Sequence, residues 1–118
     1  MQTDEWLQWL ETAKRAGKIG RFGLALTAAQ LRPFLAAGSP LADVVQVLDS
    51  LDGREADVLT EYHRPLQITF GYVSAARKAG DTRPFSDLLR AATTRNPHGP
   101  IIVSTTRAER AASFQPFA

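Results

Sequence analysis

The sequence predicts a mostly α-helical domain, a compact bundle of five to seven short helices. Three observations predict it. Apolar residues recur at i, i+3 and i+4 spacing through most of the chain. Capping residues and prolines alternate with glycine stops, which cuts the chain into short helical segments. Residues 18–26 and 101–105 leave room for a small β element and no more. A chain of 118 residues is one domain by length. Within it, 1–96 is expected to form the helical body and 97–118 an extended segment packed on the same domain.

The elements follow in order. Trp6, Leu7, Trp9, Leu10 and Ala13 share one face of a first helix, with Asp4 and Glu5 at its start and Lys14 and Arg15 at its end. That order suits the helix dipole, and Gly17 supplies the stop. Trp6 and Trp9 cannot both sit centrally on a narrow face, so they are expected to differ in exposure. Residues 18–26 are a glycine-punctuated connector able to hold a short strand. Thr27 and Gln30 form a capping box ahead of Leu31, Phe34 and Leu35, and Pro33 is expected to kink or break that helix. Ser39-Pro40 restarts a helix with Leu41, Val44, Val45, Leu48 and Leu51 as its stripe. Asp52 and Glu55 resemble a second capping box. Residues 65–79 alternate like a strand (Leu66, Ile68, Phe70, Tyr72) but also fit helical spacing; the helix is preferred because Pro65 opens it and Gly80 closes it. Pro84 opens the last long helix, with Phe85, Leu88, Leu89 and Ala92 inward and a stop near Asn96-Pro97. Ile101, Ile102 and Val103 read as a strand or docking segment. Residues 106–113 could add a turn or two, and Phe114 and Phe117 are expected to dock.

Charge is sorted along the chain. Residues 1–11, 12–38, 39–61 and 62–118 carry net −3, +5, −5 and +5, which gives +2 in all. Segregated charge builds a field that selects partners without naming them. The absence of cysteine excludes disulfides and thiolate metal sites and suits a reducing cytoplasm. The acidic, amphipathic start is unlike a signal peptide, and no stretch is long enough to span a bilayer. Frequent Ala and Arg with scarce Lys suggest a bacterium with a GC-rich genome.

Motifs of catalysis are missing. His63 and His98 lack the His-Glu-x-x-His spacing. Asp57, Glu61 and His63 could meet as ligands, but a dipole partner at a helix end is the better reading of His63. Gly-x-Ser-x-Gly is absent, and Gly17-Lys18-Ile19-Gly20 and Gly20-Arg21-Phe22-Gly23 lack the hydroxyl and helix start of a phosphate loop. Asp49-Ser50-Leu51-Asp52-Gly53 falls short of a calcium loop. No metal, cofactor or catalytic residue is therefore expected. A helix-turn-helix reading of 27–48 fails because its second helix carries Asp43 and no base.

The expected function is that of a small non-enzymatic bacterial regulator or adaptor, such as a phage- or plasmid-encoded inhibitor. It would bind another protein through an acidic face (Asp43, Asp49, Asp57, Glu61) and through the docking segment Ile101, Ile102 and Val103. The alternative is a nucleic-acid-binding regulator using Arg77, Lys78, Arg83, Arg90 and Arg95 for salt-dependent phosphate contacts. A membrane partner is not expected, and a homodimer is compatible with so small a domain.

Overall fold

The fold was obtained as a computed structural model that describes residues 3–104 together with 108 and 109. It is not a helical bundle. Among the described residues five α-helices from Thr3 to Arg95 accompany a four-stranded, wholly parallel sheet, so the domain is α/β. Helix α1 (Thr3–Arg15) leads to strand β1 (Gly23–Leu26), helix α2 (Ala28–Ala36) and a single 3-10 turn (Pro40–Ala42). Strand β2 (Val44–Leu48), helix α3 (Asp57–Glu61) and strand β3 (Ile68–Phe70) follow. Helices α4 (Tyr72–Lys78) and α5 (Phe85–Arg95) then return the chain to strand β4 (Ile101–Ile102). The strands lie in sequence order, β1-β2-β3-β4.

The correction to the expected fold has two sources. The stripe Leu41, Val44, Val45, Leu48 matches a helical period, yet 44–48 is a strand with alternating burial. Three of its five residues are valine, whose branched Cβ restricts χ1 and fits a pleated sheet better than a helix. Ser39 does cap a helical start, accepting the Leu41 N–H at 3.2 Å, but the helix ends after one 3-10 turn. The second source is Gly71, which takes φ +99° between β3 and α4. It divides 65–79 into a strand and a helix, so only the Gly80 end of the expected helix forms. The regions 18–26 and 101–105 contribute β1 and β4 as the sheet's two edge strands. Part of the 97–118 segment thus belongs to the sheet; Phe114 and Phe117 lie outside the described residues.

Register defines two faces. Leu24 lies beside Val45, Leu26 beside Val47, and Val47 and Ile101 flank Thr69. Val45, Val47 and Thr69 are buried. The valines pack with Leu31 and Leu35 of α2 and Val58 and Leu59 of α3. Tyr72 of α4 and Asn96 after α5 bond to Thr69 Oγ on this same face. The opposite face carries Val44, Gln46, Leu48, Ile68, Phe70 and Ile102, and none of these is buried.

Local chemistry explains the helix ends. Thr27 and Gln30 form the expected reciprocal capping box, at 3.3 and 3.1 Å, and α2 continues through Pro33 unbroken. Asp52 and Glu55 do not form a box; Ser50 Oγ donates to the Glu55 carboxylate at 2.9 Å and accepts the Gly53 N–H at 2.9 Å. Four helices end in the same paired-bond motif with a left-handed residue. At Gly17, Gly38 and Gly80 that residue is glycine. At the end of α3 it is His63, with φ 59°, its own N–H donated to Thr60 O and the next one, of Arg64, to Leu59 O. His63 thus occupies a helix-stop position. A side chain there costs about 1 kcal/mol relative to glycine. His63→Gly is therefore expected to stabilise the domain by about 1 kcal/mol in urea denaturation, whereas Gly17→Ala, with φ +74°, is expected to destabilise it.

Candidate functional site

Parallel α/β sheets present their chemistry beyond the carboxyl ends of the strands. Here that edge holds a polar cluster built on Asp49, the first residue after β2. Its backbone N–H bonds Phe70 O at 2.9 Å, which anchors it between β2 and β3. The Asp49 side chain is 0% exposed. Its carboxylate accepts from Ala56 N–H at 2.9 Å, Tyr72 Oη at 2.7 Å, and Arg95 Nε and Nη2 at 3.0 and 3.3 Å. Arg95 reaches on to Asp57 at 2.8 Å. The Tyr72 phenol gives its one proton to Asp49, so at 3.0 Å the Thr69 hydroxyl donates to Tyr72 Oη, while Thr69 Oγ accepts from Asn96 Nδ2 at 2.9 Å. Asn96 in turn bonds Gln67 O at 2.9 Å and accepts the Gly99 N–H at 3.0 Å, which sets the chain up for β4.

Electrostatics match this enclosure. Burial, with a smaller contribution from Asp49, pushes the Tyr72 phenol well above its ordinary range. For Arg95, burial opposes the charge, but the bonds from Asp49 and Asp57 outweigh it and raise its pKa. For Asp57, burial acts against ionisation, and the bonds from Arg95 and Arg54 overcome it, leaving its pKa lowered. No buried side-chain polar atom among the described residues lacks a hydrogen-bond partner. The cluster is thus a closed strut joining β2, β3, α3, α4 and α5. It can hold geometry; it offers a substrate no uncommitted buried group. Beside it lies a cleft of about 110 Å³ bordered by Ser50, Asp52, Ala75, Ala79, Asp81 and Arg83. Its one strong electrostatic feature is internal, since the hydrogen bonds from Arg83 hold the Asp81 carboxyl at about 2.

The expected acidic face is dispersed. Asp43, just before β2, is held by Arg21 Nε and Nη2 at 3.1 and 3.2 Å, bonds that lower its pKa. Asp49 is inside the strut. Asp57 is half-buried between Arg54 and Arg95. Glu61 is exposed and paired with Arg32, whose bond lowers its pKa. Each carboxylate therefore faces arginine, and only Asp49 and Asp57 converge, on Arg95. Apart from the enclosed Asp49–Arg95 pair, the acids of this face are held in more exposed pairs that each add little stability. The basic candidates are similarly committed. Arg95 is held by Asp49 and Asp57, Arg83 grips Asp81 at 2.7 Å, and Arg77 donates to the carbonyls of Asp81 and Arg83 at 2.9 and 2.8 Å. Lys78 and Arg90 are exposed on α4 and α5. At the opposite edge of the sheet a shallow groove of about 610 Å³ includes Arg21, Phe34, Tyr62 and Arg64, with Arg64 bonded to Asp43 O at 3.0 Å.

The docking segment fares differently. Ile101 and Ile102 form β4, with Ile101 half-buried on the packed face and Ile102 44% exposed on the other. Val103 is half-buried. Along the open face Ile102 pairs in register with Phe70, and Phe70 with Leu48, which is 40% exposed. Leu48, Ile68 and Phe70 join Ile102 in an apolar surface that helical spacing hid. The signal was present: Ile68-Thr69-Phe70 alternates, and a strand there puts its two apolar residues on one side.

Fold and site together define an α/β domain with a fully parallel sheet, one packed face and one open apolar face. Compared with known proteins, the chain matches no family model, no curated protein and no solved structure. Among the described residues no helix is long and apolar enough to cross a membrane, and no group of three His, Cys, Asp or Glu side chains is placed to hold a metal.

Proposed function

We propose that this domain is a non-enzymatic bacterial regulator or adaptor that binds another protein on the open face of its sheet and along the β4 edge. One observation carries the reading. Wholly parallel sheets normally have both faces covered, yet here Leu48 and Ile102 are 40% and 44% exposed beside half-buried Ile68 and Phe70. A contiguous apolar surface of this kind is characteristic of protein interfaces. Among the described residues β4 is an outer strand of the sheet, and an edge strand offers backbone groups that a partner strand can use. The non-enzymatic part is supported by the enclosure of Asp49, Thr69, Tyr72 and Asn96, whose polar atoms are all engaged.

The test is affinity capture from a lysate of a GC-rich bacterium, with and without nuclease, comparing the full chain with a Leu48→Lys, Ile102→Lys variant. Both side chains are exposed, so the variant is expected to keep its circular-dichroism spectrum and melting temperature. A protein retained in stoichiometric amount by the native chain, resistant to nuclease and lost from the variant, is the expected result. Retention by the variant, or loss on nuclease treatment, overturns the reading; the second outcome favours nucleic acid.

A further inference from the structure

We infer that α1 is a self-association helix and that two copies of this chain pair through it in antiparallel orientation. The inference is independent of the open sheet face. No residue of α1 is buried. Trp6 and Trp9 are 47% and 61% exposed, and their rings meet edge to face with centroids 6.2 Å apart. The expectation that only one of them sits centrally on a packed face is not met, because both are exposed. Two large indoles held together on a helix leave an apolar stripe with Leu10 and Ala13 on the same side.

The sequence of α1 selects its occupant. In an antiparallel pair centred between Trp9 and Leu10, Trp6 falls opposite Ala13 of the second copy and Trp9 opposite Leu10. Bulk then meets a small residue at both ends of the seam. The same register lays the end carrying Asp4 and Glu5 alongside the end carrying Lys14 and Arg15. It also opposes the two helix dipoles. A parallel pair would set acid beside acid, base beside base and Trp6 against Trp6. A bilayer surface fits less well. Helices that lie on membranes carry basic polar faces, whereas α1 holds Asp4, Glu5 and Glu11 against Lys14 and Arg15. Lys14 is moreover drawn over the Phe22 ring, 5.9 Å from its centroid. Thirteen residues span about 20 Å at 1.5 Å each. A seam that short buries less than a standard interface, so the pairing is expected to be reversible and concentration-dependent.

Sedimentation velocity over a wide concentration range is expected to show a monomer–dimer equilibrium for the full chain. A Trp6→Ala, Trp9→Ala variant should weaken it at least tenfold while keeping the native melting temperature, because α1 contributes no buried side chain. Orientation is read by electron paramagnetic resonance, which the cysteine-free chain permits. Spin labels on Asp4→Cys alone should lie about one helix length apart across the dimer. Mixing Asp4→Cys with Arg15→Cys chains should add a shorter distance. A monomer at every concentration, a dimer indifferent to loss of both tryptophans, or a short Asp4→Cys self-distance would overturn the inference. So would a tryptophan blue shift on anionic vesicles without self-association.

Discussion

Asp49→Asn is expected to destabilise the domain by about 3–5 kcal/mol, the range for stranding one partner of a buried ion pair. Asparagine preserves the volume and can still accept the Ala56 N–H. It cannot neutralise Arg95, whose side chain is only 7% exposed, and Asp57 alone must then balance that charge. With a whole-domain stability on the order of 5–15 kcal/mol, urea denaturation would show much of the fold's margin gone. Arg95→Met should be costly by itself, since it leaves Asp49 buried with only Tyr72 and Ala56 as donors. The double variant should cost less than the sum of the two, because no isolated charge remains. A loss under about 1 kcal/mol for Asp49→Asn would mean that water reaches the cluster and that the strut is misassigned.

Alkaline pH probes the same strut. The Tyr72 phenol is raised above its ordinary value of 10.0, chiefly by burial. A raised pKa means that the folded state holds the proton more tightly than the unfolded chain. That contribution is full below about pH 10 and is lost as pH rises towards the folded value. Tyr72→Phe removes the titrating group, so its stability should fall less steeply above pH 10 than that of the native chain.

Some of this architecture is legible in the sequence, and the divide has a physical basis. Capping and stopping are local, so the Thr27–Gln30 box, the Gly17 and Gly80 stops and the inward face of α5 can be read from neighbouring residues. Strands three to five residues long are not local. Val44–Leu48 and Ile68–Phe70 gain their ladder partners from one another and from β1 and β4. Their apolar residues also fit a helical wheel by coincidence. Once β2 is taken for a helix, Asp49 becomes one more acid on an exposed stripe. As the residue following a strand it instead turns into the enclosed carboxylate that Tyr72 and Arg95 surround. The charge blocks were visible, but their pairing was not, because Arg21–Asp43 and Arg32–Glu61 join residues 22 and 29 positions apart. The open apolar face was lost for the same reason as the strands that make it.

Gly23→Ala is expected to cost about 3 kcal/mol or more, the upper range for forcing atoms into closed space. Gly23 is the first residue of β1 and pairs with Val44. A Cβ placed there would lie 1.7 Å from Val44 O and 2.5 Å from Val44 C. Those atoms belong to the neighbouring backbone, so no rotamer change relieves the contact; β1 must separate from β2 at its start. The loss then spreads, because Leu24 and Leu26 of β1 pack against the core that Val45 and Val47 share with α2. Gly20→Ala is the matched control. Nothing lies within 4 Å of its Cβ position and its φ is ordinary, so restricting the unfolded chain should make that change neutral or stabilising by up to about 1 kcal/mol. Amide exchange separates the two ways β1 can respond. If the strand frays alone, exchange accelerates at Leu24–Leu26 while global stability falls little; if the sheet resists as a unit, stability itself falls. The extensive β1–β2 register and the shared core favour the second result, and native-like stability with native-like β1 protection in Gly23→Ala would refute the close approach of these two strands.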